Sequence, residues 1–154
     1  MPRVAAAKSE KFMPELVSWS PNTATVIVPL RTLNELNDHT HWRKRHKRSC
    51  EQRLTVCAYL NQLGQDFRRD LVTYVDFVRV APGQGLDPGD NLNSSMKYVR
   101  DQIAAYLAGN NTPEGKGDDG PKCGVRWSYQ QRRATQWGVE IRMSSFPFRL
   151  ELAL

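Results

Sequence analysis

Asp87 and Asp90 bracket a tight turn in the run LDPGDNL, and Lys97 and Asp101 follow at spacings of seven and then four residues. At about 100° per residue, Asp90, Lys97 and Asp101 fall within roughly 40° of one another on a helix, with Ser94 close to that sector. A helix here presents a carboxylate–ammonium–carboxylate row. Hard cations such as Mg²⁺ take oxygen ligands and keep several waters, so carboxylates from a loop, a helix start and a second loop suit one; Mn²⁺ suits the same donors. Asp118 and Asp119 are the natural source in the second loop, and either residue can serve.

The chemistry follows from charge. Hydrolysis of a phosphodiester adds negative charge to a group that is already anionic. A divalent metal neutralises that charge and makes hydroxide accessible near neutral pH, and a lysine beside the metal steadies the scissile phosphate or orients the water. The expected metal ligands are Asp87, Asp90, Asp118 and Asp119, and the expected catalytic residues are Lys97, Asp90 and Asp101. The plainer alternative is a solvated helix face with i,i+4 pairs and an Asp90 that serves only as a helix cap.

A second constellation is cationic. His39 to Arg48 reads HTHWRKRHKR and holds all three histidines of the chain. As a helix it is cationic nearly all round in its first turns, an arrangement that a DNA backbone relieves. The expected DNA-binding residues are His41, Trp42, Arg43, Lys44, Arg45, Lys47 and Arg48, with Trp42 offering a flat surface for an unpaired base. Arg126 and Arg132, beside Arg133, Trp127 and Tyr129, form a second basic group. His41, His46 and Cys50 lack the fourth ligand of a zinc site. The other cysteines are Cys57 and Cys123, and the absence of CxxC spacing favours free thiols.

These residues must be positioned by a small domain. The chain has 154 residues, 22 Lys and Arg against 16 Asp and Glu, and a net charge of +6. Such a balance favours a polyanionic partner, and no apolar run approaches the ~20 residues that span a membrane. Residues 1–21 read as a polar, flexible lead-in and 22–154 as one domain. Strands are predicted over Thr23–Leu30, Leu71–Val80, Val125–Gln131, Val139–Met143 and Phe148–Leu152. Helices are predicted over His41–Leu63 and Asn91–Ala108, the latter with apolar residues at Leu92, Met96, Val99, Ile103 and Tyr106, Asp90 as N-cap and Gly109 as C-cap. The Gly- and Asp-rich stretch 110–124 reads as a mobile loop. The expected fold is α/β or α+β, a mixed β-sheet with two main helices.

In order, the strand ending in Pro29, LNELNDHTHWRKRHKR, LDPGDNL, KYVRD, the Asp118-Asp119 pair, WSYQQ and VEIRM resemble the RusA-type Holliday junction resolvases, in particular divergent phage and prophage members. The resemblance spans about residues 23–143 and rests mainly on DNL, a lysine four residues before an aspartate, and the DD pair. It implies a small homodimer that binds four-way DNA junctions and cuts them with Mg²⁺, in recombination and repair, in the cytoplasm of a bacterial or phage-infected cell. It implies metal ligands at Asp90, at one of Asp118 and Asp119 and at an acid just upstream, with Lys97 as the catalytic lysine and Asp101 beside it. Two spacings depart from the family. The upstream acid usually stands two residues before the DN aspartate, where this chain has Pro88. The lysine usually follows that aspartate by four residues, whereas Lys97 follows by seven. A non-catalytic DNA-binding protein with the same fold is the alternative, and an unrelated basic protein that binds RNA or another protein is a third.

Overall fold

The structure is a computed structural model, and it describes residues 16–35 and 39–147. Alternating apolar residues build the sheet. Strands β1 (Val17–Trp19), β2 (Thr23–Val28), β3 (Tyr74–Ala81), β4 (Arg126–Arg133) and β5 (Gly138–Ser144) form one five-stranded sheet in the order β1-β2-β5-β3-β4. Every neighbouring pair is antiparallel except β3 and β4, which run parallel. Parallel strands need a crossover. Helices α2 (Asp90–Ser95) and α3 (Lys97–Leu107) lie in it, so the β3–β4 crossover carries every candidate acid. Helix α1 (Trp42–Leu60) joins β2 to β3. The chain is thus an α+β domain with a mixed sheet.

One sheet face carries Val26, Val28, Val75, Phe77, Ile141 and Met143, and α1 and α3 contribute Val56, Leu60, Val99, Ile103 and Tyr106 to the same core. Register puts Tyr74, Asp76 and Val78 on the other face. There the buried Asp76 accepts hydrogen bonds from Ser128 (2.8 Å) and Gln130 (3.0 Å). Burial still pushes its carboxyl above the ordinary aspartate value, against the pull of Ser128 and Arg142.

The structure departs from the sequence expectations at several points. The helix expected over 91–108 breaks at Met96, whose φ is −100° and ψ 6°. Ser94 and Ser95 donate back to the carbonyls of Asn91 (3.1 Å) and Leu92 (2.6 Å), the local competition that weakens a helix interior. Asp90 is not the N-cap. Gly89 takes that position, and Asp90 sits in the first turn, where a carboxylate meets the positive end of the helix dipole. Gly109 does close α3: with φ at +79°, its N–H reaches the Tyr106 carbonyl at 3.0 Å, and the next N–H, of Asn110, reaches Ala105 at 2.9 Å. Val17–Trp19, expected within the lead-in, pairs with β2, and the Trp19 indole donates to Asp66 at 2.8 Å. Leu71 ends a short 3₁₀ turn instead of opening a strand. The strand expected over Phe148–Leu152 lies outside the described residues. Cys50, Cys57 and Cys123 are free, and only Cys57 is buried.

Candidate functional site

The break at Met96 does not scatter the acidic row. Asp90, Lys97 and Asp101, with Ser94 and Arg100, line one pocket of about 420 Å³. Asp119 and Tyr129 close it from the far end of the crossover. Asp90 and Asp119, 29 positions apart, therefore share one hollow.

Two sets of contacts hold Asp119 there. The loop after α3 is sewn to both long helices: Gln102 donates to Asn111 and to the Thr112 carbonyl at 2.9 Å each, Asn111 donates to Asn61 at 2.8 Å, and Arg53 donates to the Gly115 carbonyl. Gly117 comes so close that an added Cβ would lie 2.0 Å from the Ala104 carbonyl oxygen. The stretch expected to be a mobile loop thus packs along α3. The second set centres on Arg100, which donates to the Asp119 carboxylate at 2.9 Å, to the Asp119 carbonyl and to the Tyr129 hydroxyl at 2.6 Å. Its guanidinium lies 4.6 Å from the Trp127 ring centroid. Trp127 and Tyr129 in turn stack on the core residue Phe77, with centroids 6.0 and 5.5 Å away.

The aspartate pair splits. Asp119 lines the pocket, whereas Asp118 turns back to accept the Gly120 N–H at 2.9 Å, an Asx turn. Asp87 is exposed and lies outside the pocket; its backbone carbonyl accepts from Leu92 at 3.1 Å. Among the described residues no three His, Cys, Asp or Glu side chains form a metal-binding group. The hollow itself offers Asp90, Asp101 and Asp119, hard oxygen donors fit for a cation held by one or two carboxylates and completed by water and substrate phosphate.

Burial raises the Asp101 carboxyl above the ordinary aspartate value, and the Asp119 carboxylate adds to the rise, while Arg53, Lys97 and Arg100 oppose it. Asp101 is thus a half-buried carboxyl whose proton is held more tightly than usual, lining the same pocket as Lys97.

The cationic helix packs on α3, and its Arg45 and Arg48 act electrostatically on Tyr98, the neighbour of Lys97. α1 begins at Trp42, and its N-cap His41 accepts the Arg43 N–H through Nδ1 at 3.2 Å. No acidic residue lies in its first turn, so Arg43, Lys44 and Arg45 face the positive end of the dipole. Arg48 forks onto Glu35 at 2.8 and 2.7 Å, and Lys47 reaches Glu51 at 3.9 Å. Trp42 is 61% exposed, with Arg43 packed 5.5 Å from its ring. Arg126 and Arg132 fall on the sheet face turned away from α1 and α3 and do not join the pocket.

No protein-family model and no curated protein matches the chain. The functional reading therefore stands on the pocket and on the cationic helix packed on α3. Arg100 is the residue that motif reading passes over. Its place three residues after Lys97, on the flank of the same helix face, is the signal that points to it.

Proposed function

We propose that this protein is a structure-specific, Mg²⁺-dependent DNA endonuclease that resolves four-way junctions, working as a homodimer on the two-fold substrate. The carrying observation is that Asp90, Lys97, Asp101 and Asp119, from separate parts of one crossover, line a single open pocket, and that an arginine- and lysine-rich helix packs on the helix carrying Lys97 and Asp101. Asp90 and Asp119 are the carboxylates that would hold the cation, with water and substrate phosphate completing its shell. Bound there, Mg²⁺ would supply charge neutralisation and a more acidic water. Lys97 would steady the scissile phosphate and Asp101 would carry a proton. The cationic helix would hold the phosphate backbone, and the exposed Trp42 would stack on a base that the branch leaves unpaired. The junction as substrate, the dimer and the cytoplasmic setting come from the resemblance to the RusA-type resolvases. No described helix is long and apolar enough to cross a membrane.

A second reading, a DNA-binding protein that does not cut, is favoured by one contact: the Arg100 guanidinium occupies the Asp119 carboxylate. A synthetic four-way junction, incubated with the full chain in Mg²⁺ or in EDTA, separates the two. The endonuclease reading expects paired nicks only with metal, and expects Asp90→Asn and Asp119→Asn to bind the junction without cutting it. Tight binding with no cut at any Mg²⁺ or Mn²⁺ concentration leaves the second reading.

A further inference from the structure

A second hollow, of about 360 Å³, opens where β3 and β4 end, lined by Arg79, Gly83, Gln131, Arg132 and Arg133 among others. No acidic side chain lines it among the described residues. Arg79 is its unusual member, being only 6% exposed. Buried guanidinium groups are ordinarily paired with carboxylates. Arg79 instead donates Nε to the Thr32 hydroxyl at 3.0 Å and Nη2 to the Thr32 carbonyl at 3.5 Å, and lies 5.3 Å from the Trp137 ring centroid. Arg31 adds a further cation 5.1 Å from the same ring. Burial pulls the Arg79 pKa downward with no carboxylate opposing it. Nη1 forms no hydrogen bond with a described residue. Arg133, a buried guanidinium with a donor to spare and a glycine-bearing loop make a cradle suited to a multivalent oxyanion.

We propose that this hollow binds a phosphate group, carried either by a nucleic-acid backbone or by a free phosphate compound, with Arg79 as its buried donor and Arg133 at its mouth. Geometry links the hollow to the acidic pocket. Gln131 holds the loop that leads into α2, accepting the Leu86 N–H at 2.8 Å and donating to the Leu86 carbonyl at 2.6 Å. Tyr129 of the acidic pocket stands two residues earlier on the same face of β4, about 7 Å away along the strand. A single strand lying across the acidic pocket can therefore set a neighbouring phosphate in the arginine hollow. The nucleic-acid source rests on the function proposed above; the phosphate site itself does not.

The test uses the full chain, Arg133→Ala and Arg79→Lys, the last keeping the charge and losing the fork. Junction affinity is measured against NaCl concentration, and pyrophosphate is titrated at constant ionic strength while the Trp137 indole N–H is followed by NMR. The proposal expects the salt slope of Arg133→Ala to fall by about one and Arg79→Lys to bind about tenfold more weakly at fixed salt. It expects pyrophosphate to shift the Trp137 signal saturably in the wild type and not in Arg79→Lys. Altered DNA binding in the two variants assigns the phosphate to the backbone. A pyrophosphate shift with unaltered DNA binding assigns it to a small compound. Should the wild type fail to bind DNA while pyrophosphate still shifts Trp137, the proposed function fails and the phosphate site stands. A wild type that binds DNA, with neither its variants nor pyrophosphate having any effect, overturns the inference and leaves Arg79 a structural staple for Thr32.

Discussion

Arg100 Nε lies 2.9 Å from Asp119 Oδ2, so the cation that organises the far wall of the acidic pocket also covers a carboxylate that the proposed function assigns to the metal. The same guanidinium reaches Tyr129 and rests on Trp127, so it is fixed to the sheet and Asp119 is fixed to it. On the proposed function, metal and guanidinium would compete for this one carboxylate, and a substrate phosphate would be the group that draws Arg100 away.

Replacing Arg100 with Gln removes that competitor. Mn²⁺ affinity, measured by calorimetry on the free protein, is expected to rise several-fold, while stability falls by about 1–2 kcal/mol through lost charge-assisted hydrogen bonds. Unchanged metal affinity would mean that Asp119 is not a ligand.

Gly117 is expected to tolerate no side chain. A Cβ would meet the Ala104 carbonyl oxygen at 2.0 Å, so Gly117→Ala must push the loop off α3. Overpacking of this kind costs about 1–3 kcal/mol. A thermal melt shows the loss, and the displaced Asp119 lowers any metal-dependent cleavage in parallel. A variant with wild-type Tm contradicts the close packing.

Asp101 gives a pH signature. Its folded carboxyl is raised above the ordinary value of 3.8. As pH climbs past that value the unfolded chain loses its proton first, so ionisation weighs against the fold through the interval up to the folded pKa and at all higher pH. Asp101→Asn has no such cost. Urea melts are expected to give equal stability for the two below pH 3.8, with the variant gaining on the wild type as pH rises and the gain levelling off at neutrality. A variant that is less stable at neutral pH contradicts the raised carboxyl.

The cationic start of α1 predicts a salt effect. Lys44 and Arg45 form no ion pair with a described residue, and both oppose the helix dipole. The Lys44→Ala, Arg45→Ala double variant is expected to lower the slope of log K against log salt for junction binding by about two. It is also expected to raise the Tm of the free protein slightly. An unchanged slope removes this helix from the DNA interface.

Where local pattern sufficed, the fold was readable from the sequence. TATVIV alternates and YVDFVRV is β-branched and aromatic, and both are strands, the second buried on both faces. Gly109 ends its helix because only a residue free of Cβ strain takes φ near +79° easily. What escaped depends on contacts distant in sequence or on competing local bonds. β1 is three residues held by β2. The break at Met96 comes from serine hydroxyls bonding backward, at the cost of a helix that apolar spacing alone would continue. The choice between Asp118 and Asp119 is made by the Gly120 N–H and by Arg100, neither of which the pair itself announces. Asp90, Lys97 and Asp101 were found from helical spacing and share a pocket even though the helix between them is interrupted.

The most direct measurement is paramagnetic broadening of backbone amide signals by substoichiometric Mn²⁺ on the free full-length chain. If the crossover acids share a cation, the amides of Asp90 and Asp119 broaden first and together, excess Mg²⁺ restores them, and Asp119→Asn abolishes the effect at both. Broadening at one of the two alone, or first at Asp87 and Asp118 on the exposed loops, contradicts the account.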